Sequence, residues 1–162
     1  MCQQLSIFEE FKQGITDPKL MIKKSGICKY CGSIMRVRPK YLDKRLGILV
    51  WDIYKHVNSV RGYSLTFRGD DIWQDYKKIA DYQKLQYFGI IEKSGHCRWR
   101  LTFKGKRFLE GKISLPSRVF VLNNRIVAQE EQQITIDKLN SRWQSEYQDY
   151  VLDYFPQLKL NA

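Results

Sequence analysis

KLQYFGIIEKSGHCRWRLTFKGKRFL, residues 84–109, is the stretch from which the fold of this chain is read. Gly89 supplies the left-handed conformation that closes a helix sharply. Ile90 and Ile91 then open a strand with two apolar anchors. Residues 90–93 and 98–102 flank a four-residue turn containing Gly95, which is a hairpin signal. Leu101 brings the second strand back to the core, and Thr102 is placed to cap a short helix over 104–109. Gly105 permits close packing near that helix's start, and Phe108 and Leu109 are its buried residues.

Working outward, Leu46, Leu49, Val50, Ile53 and Val57 share one face of a helix predicted from Asp43 to Asn58, with Asp43 as N-cap. Residues 63–67 suit a short strand. One continuous helical region is expected from Asp71 to Phe88, with no turn dividing it. A second hairpin is predicted over Val119–Val127, with Asn123-Asn124 as its turn. A last helix is expected from Lys138 to Phe155, with a face of Leu139, Trp143, Tyr147, Tyr150, Val151 and Tyr154. Near the start, residues 5–13 are a helix candidate.

The order helix, strand, helical region, hairpin, short helix is that of a winged helix. The expected fold class is α+β: a winged helix-turn-helix-like domain over 43–112, with hairpin 90–102 as its wing. An N-terminal helix falls in 1–22, and a small zinc-knuckle-like hairpin and basic linker in 23–42. A β-hairpin and C-terminal helix, 113–162, pack on the domain. The run LQYFGIIEK…RWRLTFKGKRFLEG resembles the L…GLIE…W-x-L-T-x-x-G-x-x-F-L signature of bacterial and phage winged-helix domains. Cys28 to Gly32, Lys84 to Glu92 and Gly95 to Val127 resemble a set of uncharacterised phage and mobile-element proteins. Cys97, between His96 and Arg98, departs from that pattern. The resemblance implies the fold and a phage-like origin, and no activity.

The formal net charge of +11 is unevenly placed. Residues 23–55 carry nine Lys/Arg against two acids, and residues 93–118 carry eight against one; the rest of the chain is neutral or mildly acidic. Clustering of this kind favours a polyanion, most simply nucleic acid. The expected contacts are Arg36, Arg38, Lys40, Lys44 and Arg45 in the basic stretch, Lys93, Arg98 and Arg100 on the wing, and Lys104, Lys106 and Arg107 after it. Arg98 and Arg100 share a strand face, with Trp99 turned to the core. The helix before the wing mixes Asp71, Asp75 and Asp81 with Lys77, Lys78 and Lys84, so it is poorly equipped to read bases, although Gln83 and Gln86 are of a type that could serve. From the helix's near-zero net charge, phosphate contact with little sequence reading is expected, with DNA the favoured partner.

Cys28-x-x-Cys31-Gly32 is half of a zinc site. His56, His96, Cys97 and Cys2 are the available further ligands, and Cys28, Cys31, His56 and His96 form the candidate structural zinc set; the alternative is a reduced structural cysteine pair. No catalytic constellation, P-loop or dinucleotide fingerprint occurs, so a non-enzymatic protein is expected. No apolar run reaches a membrane span and MCQQLSIFEEFKQ lacks a signal-peptide pattern, which predicts a cytoplasmic protein with no membrane partner. Two functional classes stand at this stage. One is a DNA-binding accessory or regulatory protein. The other is a protein-binding mobile-element factor that inhibits or recruits a host nucleic-acid machine, of anti-defence or anti-CRISPR type. In either, the aromatic C-terminal helix offers a docking or homodimer face.

Overall fold

The computed structural model describes residues 25–27, 32, 34–59 and 66–140. The helix candidate at 5–13, the Cys28/Cys31 pair and the chain beyond 140 lie outside the described residues. The class is α+β. In chain order the elements are β1 (Ser25–Ile27), β2 (Ile34–Arg36), β3 (Arg38–Tyr41), α1 (Lys44–Ser59), β4 (Thr66–Phe67), α2 (Gly69–Ile72) and α3 (Tyr76–Asp81), which runs on into a 3₁₀ segment (Tyr82–Phe88). There follow β5 (Ile91–Gly95), β6 (Arg98–Leu101), α4 (Phe103–Leu109), β7 (Leu115–Pro116), β8 (Arg118–Leu122), β9 (Arg125–Gln129), β10 (Gln133–Ile134) and α5 (Ile136–Leu139).

α1 forms where the apolar spacing places it. The Asp43 carboxylate accepts from the Leu46 amide at 3.0 Å, and Leu46, Leu49, Val50 and Ile53 are buried. Around its buried face stand two antiparallel three-stranded sheets, ordered β4-β6-β5 and β3-β8-β9. In the first, Phe67 lies opposite Trp99 and Ile91 opposite Leu101. Trp99 is core, as its alternation with two arginines requires.

The 3₁₀ segment ends at Gly89, which takes φ 69°. The Ile90 amide then donates back to the Leu85 carbonyl at 3.2 Å. The Thr102 hydroxyl accepts from the Gly105 amide at 2.9 Å, capping α4, and donates to the Gly89 carbonyl at 2.6 Å. Gly105 has no alternative here: a Cβ would stand 2.3 Å from the Ile90 carbonyl oxygen. Phe108 and Leu109 are fully buried. At the second hairpin Asn123 and Asn124 adopt φ 47° and 62°, the paired left-handed turn that joins twisted strands.

Four expectations are corrected. The region 71–88 is not one helix. Trp73 leaves it in an extended conformation (φ −127°, ψ 141°), and Asp75 caps a new start by accepting from the Lys77 amide. Trp73 is buried, its indole N–H donates to Asp52 at 2.9 Å, and its ring packs on Tyr82. The gain in tertiary packing outweighs continuation of the helix.

The wing turn is shorter than expected. Gly95 pairs with Arg98 after a register shift, leaving His96-Cys97 as a two-residue turn. The third correction concerns the basic linker, which is partly sheet: β3 pairs with β8, Arg38 opposite Val121 and Lys40 opposite Val119. Finally, α5 starts at Ile136 and the chain leaves helix at Asn140 (φ −138°, ψ 102°), so no unbroken helix begins at Lys138. Thr66 and Phe67 are the described part of the strand expected at 63–67.

Gly105→Ala drives a methyl group into a main-chain carbonyl that other bonds hold in place. It should destabilise the protein by about 1–3 kcal/mol in urea unfolding. A change within ~0.5 kcal/mol, as for an ordinary surface substitution, would contradict the packing described.

Candidate nucleic-acid interface

Arg36, Val37, Arg38, Pro39 and Lys40 alternate along β2 and β3. Val37 is buried, while Arg36 and Arg38 are exposed. The cations line an open groove of about 510 Å³ whose other wall is Tyr87, Asn123 and Asn124. The Tyr87 hydroxyl donates to the Asn124 side-chain oxygen at 3.0 Å. Lys40 lies 5.9 Å from the Tyr87 ring centroid. Its pKa is lowered, first by burial and then by the neighbouring charges of Lys84 and Arg38. Lys40 also lines an adjoining cleft with Arg45, Asp81 and Lys84.

Lys44 and Arg45 occupy the first turn of α1, where the helix dipole disfavours cations. Arg45 is compensated: it pairs with buried Asp81, which Lys84 also meets at 2.5 Å. Arg45 is thus a structural tie from α1 to the segment preceding the hairpin. Arg100 is likewise committed, donating to Glu92 across the hairpin at 2.6 Å. Arg98 is exposed, with its guanidinium 3.5 Å from the Thr66 hydroxyl. Among the described residues, Arg36, Arg38, Lys40, Lys44, Lys93, Arg98, Lys104, Lys106 and Arg107 have no carboxylate partner.

One cation of the second basic block reaches the end of the 3₁₀ segment. The Lys104 stem lies across Gly89, its Cδ 3.3 Å from where a Cβ on that glycine would stand. Gly89 is two residues beyond Tyr87, so Lys104 and the β3 cations flank the same end of the 3₁₀ segment.

The acids of 71–88 each have a local partner, although Asp71 and Asp75 stay exposed. Asp71 accepts from the Arg68 amide, Asp75 caps α3, and Asp81 is buried. Lys77, Gln83 and Gln86 remain exposed. Counting charge along the sequence could not show that Asp81 is buried. It also counted Arg118 as surface charge. Arg118 pairs with Glu130 and lies over the rings of Tyr41 and Phe120, so it is part of the body. Tyr87, Asn123 and Asn124 were not identified as site residues; only the pairing of β3 with β8 brings them to the basic stretch.

For the expected zinc site, His56 is half-buried in the last turn of α1 and His96 is exposed in the hairpin turn. Among the described residues no group of three or more His, Cys, Asp or Glu could hold a metal. Cys28 and Cys31 lie outside them, so the zinc reading rests on the sequence pattern alone. No helix of the described residues is long and apolar enough to cross a membrane. No family model, curated protein or solved structure matches this chain.

Because Lys40 is held below the ordinary lysine range by burial and like charge, an anion beside it must raise its pKa. In NMR titration of the lysine side chains, Lys40 should deprotonate below the ordinary lysine range. A bound polyanion should shift it upward, so binding weakens as pH rises through that range. An unshifted Lys40 in the presence of ligand would place the ligand elsewhere.

Proposed function

We propose that this protein is a phage-like DNA-binding accessory or regulatory factor, and that its central unit is a winged helix-turn-helix-like module gripping phosphates. Support for the module comes from the element order α1, β4, α2, α3, β5, β6, with β4 paired to the second hairpin strand β6. The break at Trp73–Asp75 supplies the two-helix step that such a module has before its hairpin.

The observation that carries the functional reading is the number of clustered basic side chains without a carboxylate partner, in the β2–β3 stretch and in the β5–β6 hairpin and α4. A stabilising role would pair these side chains with carboxylates, as Arg45, Arg100, Lys112 and Arg118 are paired. Unpaired clustered cations instead raise the local potential and release counterions on meeting a phosphate backbone.

The test is a DNA titration at several salt concentrations. Affinity should fall steeply with salt. Lys104→Ala, Lys106→Ala and Arg107→Ala together should reduce the slope of log K against log[salt] by about two to three. Arg100→Ala, which removes an already neutralised charge, should change it little. Absence of binding at low salt would overturn the reading.

A further inference from the structure

We propose that the groove between β3, Tyr87 and the β8–β9 turn seats one unpaired nucleotide of a nucleic-acid strand. The inference deepens the DNA-binding reading and rests on it.

The groove has two chemically distinct sides. One is cationic: Arg36, Arg38 and Lys40 recur every second residue, about 7 Å apart along the strand. This row suits the phosphates of a stretched strand. The rest of the lining carries no positive charge. It holds the half-buried ring of Tyr87, buried Val121 and the amides of Asn123 and Asn124.

An aromatic ring beside apolar surface suits the face of a base. Turn amides suit its hydrogen-bonding edge, which is open only when the base is unpaired. A duplex could offer its backbone to Arg36, Arg38 and Lys40, but its stacked bases would leave Tyr87 without a partner. Free phosphate would use the cations alone. The volume, about 510 Å³, lies within the usual ~300–1,000 Å³ of small-ligand sites.

The ring is also held in place. The bond to Asn124 fixes the hydroxyl end of Tyr87, and the left-handed Asn123-Asn124 turn fixes Asn124. Pre-set geometry of this kind reduces the ordering cost on binding. The like-charge crowding that depresses Lys40 is relieved by an anion at the same place.

The experiment is fluorescence anisotropy on the full chain with three probes: a single strand of about 12 nucleotides, its blunt duplex, and that duplex with a short overhang. Single strand and overhang should bind at least about fivefold more tightly than the blunt duplex. Tyr87→Ala should abolish that preference without weakening blunt-duplex binding, and Tyr87→Phe should keep most of it.

Tyr87 packs against the core, so Asn124→Gly is the second variant. It tolerates the positive φ, loses the amide, and should lower single-strand affinity alone. Equal wild-type binding of single strand and blunt duplex, or a preference that survives both Tyr87→Ala and Asn124→Gly, overturns the proposal. Steeply salt-dependent binding of duplex with no single-strand preference sinks the groove and leaves the wider reading standing. Failure of all three probes at low salt sinks both.

Discussion

The Thr102 hydroxyl holds together three elements that would otherwise be joined only by chain. It accepts from the Gly105 amide, which starts α4, and donates to the Gly89 carbonyl, which ends the 3₁₀ segment. The Thr102 amide donates to the Ile90 carbonyl at 2.9 Å, closing the base of the β5–β6 hairpin. One hydroxyl can do this because it is both donor and acceptor. The close approach of Gly105 to the same Ile90 carbonyl leaves no room for sliding. Phe108 and Leu109 therefore enter the core at a fixed angle, and the Lys104 stem is laid over Gly89. The position of α4's cations is a consequence of this junction and not of any contact between the cations themselves.

The carboxylates sort the cations in a similar way. Asp43, Asp71 and Asp75 satisfy helix-start amides, Asp52 takes the indole of Trp73, and Asp81 is buried under Arg45 and Lys84. Asp81 alone among them is buried; Asp43, Asp71 and Asp75 cap helices from exposed positions and keep their negative charge at the surface. Residues 71–88 keep a mixed outer face, with Gln74, Lys77, Gln83 and Gln86 exposed beside exposed Asp71 and Asp75.

What could be read from the chain was whatever local rules decide. Helix α1 and its Asp43 cap, the Gly89 stop, the Thr102 cap and the Asn123-Asn124 turn depend on residues within about five positions of each other, and each is found where its spacing puts it. The Trp73 break depends on Asp52, 21 residues away, and on a ring contact with Tyr82. No local pattern announces it. The two-residue His96-Cys97 turn places Cys97 at φ 55°, a conformation that a non-glycine residue adopts only when the strands on either side impose it. The end of α5 at Asn140 interrupts an apolar periodicity that by itself predicts continuation. At the candidate site, the charged residues were visible as a cluster, but their sorting into paired and unpaired was not.

The assembly of the groove is the clearest case of a site encoded far from its charges. Arg36, Arg38 and Lys40 lie on a short strand stretch whose partner is far away in sequence. Their position is set by β8, whose Val119, Phe120, Val121 and Leu122 are all buried. Burial on both faces makes β8 the centre of its sheet, so it needs a strand on each side. β9 reaches one edge through a two-residue turn. The other edge is taken by β3, about eighty residues earlier, which contributes Arg38 opposite Val121 and Lys40 opposite Val119. Its own inward anchors are Val37 before it and Leu42 after it, both buried. An apolar strand with no chemistry of its own thus decides where the first basic block lies. The short turn that follows it supplies the Asn124 that orients Tyr87. The hairpin 118–129 is therefore an integral wall of the candidate site, and weakening the β3–β8 pairing would separate the cations from the aromatic ring without touching either.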